Sequence, residues 1–297
     1  MPNWEDIFQS WSQPPSATES EKSFNAESGI KKAIQMYERL ADKNIAVFAQ
    51  GSYAANTNIR IDSDVDVCIL CRDTFFYDLP ACKIPENYNI ILSSFYFNDY
   101  KNLINSALID RFGTSGVTRG RKAFDVHSNT YRVDADVVPS FEYRYYNDPE
   151  SMRYLSGIAF LCDGDNQRIH NYPQQTLENG RLKNVRTNQK YKRVVRILKR
   201  LRNEMQEKGI IASKDIASFL IESLVYQVPD AFFRNEKITD DVKYSLSFIF
   251  SNLAISQLYS SWTEVNEIKY LFHITQRWTR EQAILFIQSA VDYLGLK

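Results

Sequence analysis

Residues 51–70 read GSYAANTNIRIDSDVDVCIL. Asp64 and Asp66 stand two apart in a stretch that reads as a β-strand from Ser63 to Cys71. Side chains two apart on a strand point the same way, so the two carboxylates share a face. Like charges held this close repel, and the arrangement is stable mainly when a cation lies between them. Magnesium suits carboxylate and triphosphate oxygens with some retained water. Gly51 and Ser52 follow a short apolar segment, Asn44 to Gln50, that reads as a preceding strand. Glycine lets backbone approach a phosphate closely, and the serine hydroxyl with nearby amides can bind its oxygens. An acidic pair alone reads equally well as a solvated strand end. The Gly-Ser turn 12 residues ahead of Asp64, with a strand behind it, makes the pattern more specific.

Working outward, TYRVDADVVPSF (130–141) repeats the motif. Asp134 and Asp136 alternate with Val133, Ala135 and Val137. Burying such a strand costs roughly several kcal/mol per unpaired charge, so a bound metal is the simplest explanation. Asp136 is the expected third ligand because it directly precedes the apolar Val137-Val138-Pro139. Asp134 reads as a supporting or solvated group. The preceding RKAFDVH (121–127) is a further strand, expected to pair with it as a hairpin through His127-Ser128-Asn129, with Pro139 ending the second strand.

GSYAANTNIRIDSDVDV and VDADVVPSFEYRYY together resemble the polymerase-β-like nucleotidyltransferase superfamily. Within it they are similar to the cGAS/DncV-like nucleotidyltransferases of bacterial antiphage (CBASS) signalling. The resemblance implies an α/β (α+β) fold: a palm with a mixed sheet, then a helical domain of the oligoadenylate-synthase type, bilobed with a central cleft. It implies two Mg2+ ions, replaceable by Mn2+, on Asp64, Asp66 and Asp136, and nucleoside triphosphates as substrates. The implied product is a cyclic oligonucleotide second messenger, a cyclic dinucleotide first among them, made without a nucleic-acid template and sensed by a downstream effector. On this basis Lys199 matches the family lysine that contacts the triphosphate. Ser218 matches the serine that bonds the same phosphates, and Phe219 the aromatic that stacks on the base. Phe219 reads equally well as a core residue.

Composition sets the frame. The chain has 297 residues, 44% hydrophobic and 24% charged, with 36 basic and 36 acidic side chains. That length favours more than one core. The balanced charge gives no global pull toward a polyanion. No apolar stretch is long enough to span a membrane, and the acidic, aromatic start MPNWEDIFQSWSQPPS lacks signal-peptide character. A cytoplasmic monomer with reduced thiols is expected. Cys68 and Cys71 form a CxxC, but on a strand residues three apart face opposite ways, and no second pair or histidine cluster completes a zinc site.

A helix is expected from Thr18 to Ala41, another before Gly113, and four more at Asn188–Lys208, Asp215–Gln227, Asp240–Ser260 and Arg280–Leu294. A catalytic domain over 1–155 and a helical nucleotide-binding domain over 156–297 follow, with any ligand cleft between the lobes. From Arg181 to Arg202 there are ten basic residues and no acidic one. Most read as a solvated basic face. The same core could instead modify RNA or a protein, or serve as an inactive nucleotide-binding module.

Overall fold

In a computed structural model of the chain, residues 2–59, 64–255 and 258–296 are described. The expected start of the second strand at Ser63, and residues 256 and 257 of the expected 240–260 helix, lie outside them. The chain divides into two compact units. One comprises residues 16–54 and 61–173, the other residues 1–15, 55–60 and 174–297.

The first unit is built on a mixed sheet. Among the described residues it has seven strands: β1 (Ile45–Ala49), β2 (Val65–Asp78), β3 (Val117–Arg119), β4 (Phe124–Val126), β5 (Ala135–Tyr145), β6 (Leu155–Leu161) and β7 (Arg168–Asn171). The order is β1-β2-β5-β4-β3, with β6 paired to β5 and β7 to β6. β2 and β5 run parallel, and the other pairs are antiparallel. The α-helices α1 (Trp4–Trp11), α2 (Ala17–Met36), α3 (Gly51–Ala54) and α4 (Phe97–Phe112) precede or interrupt the strands. α2 and α4 cover one sheet face with Ile30, Ile34, Tyr100, Ile104 and Leu108, which join Val65, Val67, Phe124, Ala135 and Val137 in a single core. Strand alternation is why: Val65 and Val67 face the helices, so Asp66 between them cannot.

The hairpin of β4 and β5 forms as expected, with Phe124 opposite Val137. Pro139 does not end β5, which continues to Tyr145. On that edge β4 reaches only as far as Val137 and β6 begins opposite Phe141, so the proline's missing N–H falls where no ladder bond is available. The expected helix 18–41 is broken: α2 ends at Met36, Tyr37 is extended, and a 3-10 turn follows at Glu38–Leu40. Ser16 starts α2 with a capping box to Glu19. Cys68 and Cys71 sit in different buried clusters, on opposite sides of the sheet, and the cysteines are unpaired.

The second unit is helical: α5 (Pro173–Arg186, its first residue in the sheet unit), α6 (Lys190–Glu207), α7 (Ser218–Gln227), α8 (Ile238–Ala254) and α9 (Arg280–Leu294), with α1 packed into the same core through Phe8. α6 explains itself: Val194, Val195, Ile197, Leu198, Leu201 and Met205 are buried, a stripe at helical spacing. The boundary expected at 155/156 differs from this division, because β6 and β7 pair into the sheet and keep residues 156–173 in the first unit. Among the described residues no helix is long and apolar enough to cross a membrane.

Candidate active site

The parallel register of β2 and β5 sets Asp66 beside Asp136, and the antiparallel register of β4 and β5 sets Asp125 on Asp136's other side. Three neighbouring strands thus present a row of carboxylates. Asp64, exposed and just ahead of β2, lies two residues from Asp66 and extends the row. The sequence reading missed Asp125, although Phe124-Asp125-Val126 shows the same acid-between-apolar pattern that marked Asp66 and Asp136.

The carboxylates hold one another out of their ordinary ionisation range. Burial, then the charge of Asp64, raises Asp66 to about 6. Burial raises Asp136 to about 7, followed by its hydrogen bond with Asp125 and the charges of Asp66, Asp64 and Asp125. Burial, then the charges of Asp134 and Asp125, raises Asp64. Each shift says the same thing: the site has too much negative charge for its desolvation. The donors are all carboxylate oxygens, which fits a hard divalent cation rather than zinc in a thiolate or imidazole set. Among the described residues no group of three His, Cys, Asp or Glu side chains stands close enough to form a ready-made cage for an ion, so the acids line the site without closing it. Asp134 serves the backbone instead. Its Oδ1 accepts from the Ser128 N–H at 2.6 Å, and its carbonyl accepts from the Val65 N–H at 3.0 Å.

Gly51 is placed by Asp66. It opens α3 at φ +65°, and a Cβ there would lie 2.1 Å from Asp66 Oδ2. Its neighbour Ser52 is half-buried. The Gln50 N–H donates to the Asp66 carbonyl at 2.8 Å, which ties the turn to the strand carrying the acid.

In the helical unit, Lys199 is enclosed by its own unit. It is 2% exposed, and its Nζ donates to Thr57 O at 3.2 Å, Thr57 Oγ1 at 3.0 Å and Glu222 Oε2 at 3.2 Å. An ammonium has three protons, and three internal acceptors take them. Lys199 thus forms a buried ion pair within its own unit. Ser218 is the first residue of α7, and its hydroxyl accepts from Arg202 at 3.1 Å. Phe219 is half-buried, edge-on to Trp278 with ring centroids 6.4 Å apart.

Comparison with known proteins accords with this geometry. Residues 178–295 match the cGAS/DncV-like nucleotidyltransferase C-terminal helical domain. The chain is 42% identical to the cyclic dipyrimidine nucleotide synthase CdnE of Legionella pneumophila, covering 98% of each chain. It is 39% identical to the protein of that name from Cecembia lonarensis, covering 93% of this chain and 92% of the relative. The solved Rhodothermus marinus CdnE c-UMP-AMP synthase with Apcpp and Upnpp superposes with a TM-score of 0.87 at 29% identity, covering 100% of this chain and 97% of that one. A chain that combines a mixed sheet bearing a row of aspartates with a helical unit of this type is a nucleotidyltransferase. It belongs to the cGAS/DncV-like family, whose enzymes generally use divalent metals.

Proposed function

We propose that this enzyme joins two nucleoside triphosphates into a cyclic dinucleotide with release of pyrophosphate, and that pyrimidine nucleotides are among its substrates. The observation that carries the chemistry is the adjacency of Asp66 and Asp136 in the β2–β5 ladder, with Asp64 beside them. The pyrimidine choice is supported by the names of the Legionella and Cecembia relatives.

Asp64, Asp66 and Asp136 are the residues that would hold two Mg2+ ions, or Mn2+ in their place. Bound there, such cations activate the acceptor hydroxyl and neutralise charge on the leaving pyrophosphate. Asp125, opposite Asp136 in the β4–β5 register, adds a further carboxylate beside these aspartates. Gly51 leaves room for the Asp66 carboxylate. Ser52 and Ser218 are the hydroxyls assigned to phosphate oxygens, and Phe219 the ring assigned to a base. The product would act through a separate effector in cytoplasmic antiphage signalling, with the enzyme working as a monomer.

The test is direct. Pure protein is incubated with each labelled triphosphate, singly and in pairs, with Mg2+ or Mn2+, and then with phosphatase. A resistant product with the mass of a cyclic dinucleotide containing at least one pyrimidine is expected. Label that appears only on added RNA or protein overturns the reading.

A further inference from the structure

A cavity of about 190 Å³ lies in the sheet unit where the first turn of α2 meets the segment joining β4 to β5. Lys22 and Arg132 bring two cations to its wall, with Thr18 and Asn129 beside them and the acids Glu19 and Asp134 also in the lining. What matters is which of these groups are already engaged. Glu19 Oε2 accepts from the Ser16 N–H in the capping box, at 2.5 Å. Asp134 Oδ1 accepts from the Ser128 N–H. Asn129 Oδ1 accepts from the N–H groups of Tyr131 and Arg132 at 2.9 and 3.1 Å. One oxygen of each carboxylate, and the Asn129 side-chain carbonyl, is thus engaged locally. The donors are not: Lys22 Nζ, Asn129 Nδ2 and the terminal nitrogens of Arg132 have no hydrogen-bond acceptor among the described residues. Arg132 is also held in place, because its Nε donates to His127 O at 3.1 Å and its guanidinium lies 4.6 Å from the centroid of Phe112.

A pocket that brings together two cations with uncommitted donors, one of them held in place, can recognise an anion rich in oxygen. We propose that Lys22, Arg132 and Asn129 form a subsite for a phosphate group. The cavity is large enough for a phosphate or pyrophosphate and too small for a whole nucleotide, so any nucleotide would enter by its phosphate end. The subsite adjoins the catalytic row through Asp134, whose charge is felt by Asp64. It requires neither a bound cation nor the catalytic carboxylates, so it stands or falls separately from the proposed reaction.

The full-length protein is titrated calorimetrically with inorganic phosphate, pyrophosphate and UTP, in EDTA and physiological salt. The same titrations are run on Lys22→Ala, Arg132→Gln and Asp66→Asn. Saturable binding of at least one ligand is expected in the parent protein and in Asp66→Asn. Weakening by at least about tenfold is expected in Lys22→Ala and Arg132→Gln, the scale of one lost charge-assisted contact. The ligand bound most tightly identifies the source: free phosphate, the released pyrophosphate, or a nucleotide tail. Absence of saturable binding for all three ligands overturns the proposal, as does unchanged affinity in Lys22→Ala. Lys22 makes no hydrogen bond or ion pair through its ammonium among the described residues, so its variant remains informative if Arg132→Gln loses its melting transition.

Discussion

A methyl group on Gly51 would sit 2.1 Å from Asp66 Oδ2, and the residue's φ of +65° already disfavours any side chain. Gly51→Ala is therefore expected to cost about 1–2 kcal/mol of stability in urea unfolding. Because the strain is relieved only by moving Asp66, it should also lower kcat by up to about 100-fold, the cost of misplacing a catalytic group by about 1 Å. A variant with parental kcat would separate Gly51 from the chemistry. Asp66→Asn works in the opposite sense on stability. It removes a like charge from the row, so in EDTA it should melt above the parent, by about 1–2 kcal/mol, while product formation disappears. If the metal-free variant melts below the parent, crowding of charge is not what the site stores. Asp66 and Asp136 were legible because an acid between two apolar residues on a strand is a local pattern, and Asp64 because it stands two residues before Asp66. Asp125 carries that pattern too, but its strand is only three residues long, Phe124–Val126, and the acid gains meaning only from its register against Asp136. The surroundings of Lys199 were not legible for a different reason. A run of basic residues shows charge but not partners, and Glu222 lies 23 residues away on another helix.

Between elements, the helical unit is joined by that pair. Lys199 and Glu222 have side-chain exposures of 2% and 6%, and Thr57 donates to Glu222 Oε2 at 2.8 Å. Lys199→Ala leaves a buried carboxylate without its cation and should cost about 3–5 kcal/mol. Lys199→Met combined with Glu222→Leu should recover much of that loss. Chemical denaturation of both variants decides the matter, and a Lys199→Ala protein of parental stability would return the residue to the nucleotide. In the sheet unit, Asp163 holds the fully buried Lys101 at 3.0 Å and Arg119 at 2.7 Å. The hydrogen bond from Arg119 is the largest cause keeping Asp163 below its usual 3.8. The unfolded carboxylate therefore protonates first as pH falls. The stabilisation is present above the ordinary value and is lost as pH drops through the folded one. Asp163→Asn should be less stable at neutral pH, with the difference narrowing in melts at acid pH; a constant gap would contradict the linkage. Among the elements, α9 matched its expected bounds, Arg280–Leu294, because its period and its Thr279 and Gly295 caps agree. α5 contains Pro173, Asn179 and Gly180, which are breakers by composition. Proline at a helix's first position is tolerated, however, and Gly180 is buried within the helix.

At the scale of the whole chain, the helical unit is assembled from three separate stretches, 1–15, 55–60 and 174–297. Phe8 is 1% exposed in its core. Arg196 donates to Ser12 O at 2.8 Å and to Asn56 O at 2.7 Å, so both distant stretches satisfy a buried guanidinium. A fragment of residues 174–297 lacks these partners and is expected to show no cooperative thermal transition, whereas the full chain should. A sharp, reversible melt of the fragment would contradict this. None of it was legible from the sequence, since no local pattern ties residue 12 to residue 196. This interleaving has a consequence for synthesis on the ribosome. Residues 1–15 emerge long before the helices that receive them, and the core around Phe8 cannot close until α9 has been made. The sheet unit, whose stretches are complete by residue 173, can form earlier. A chain terminated after residue 173 would then carry its aspartates on an ordered sheet but lack α6 to α9.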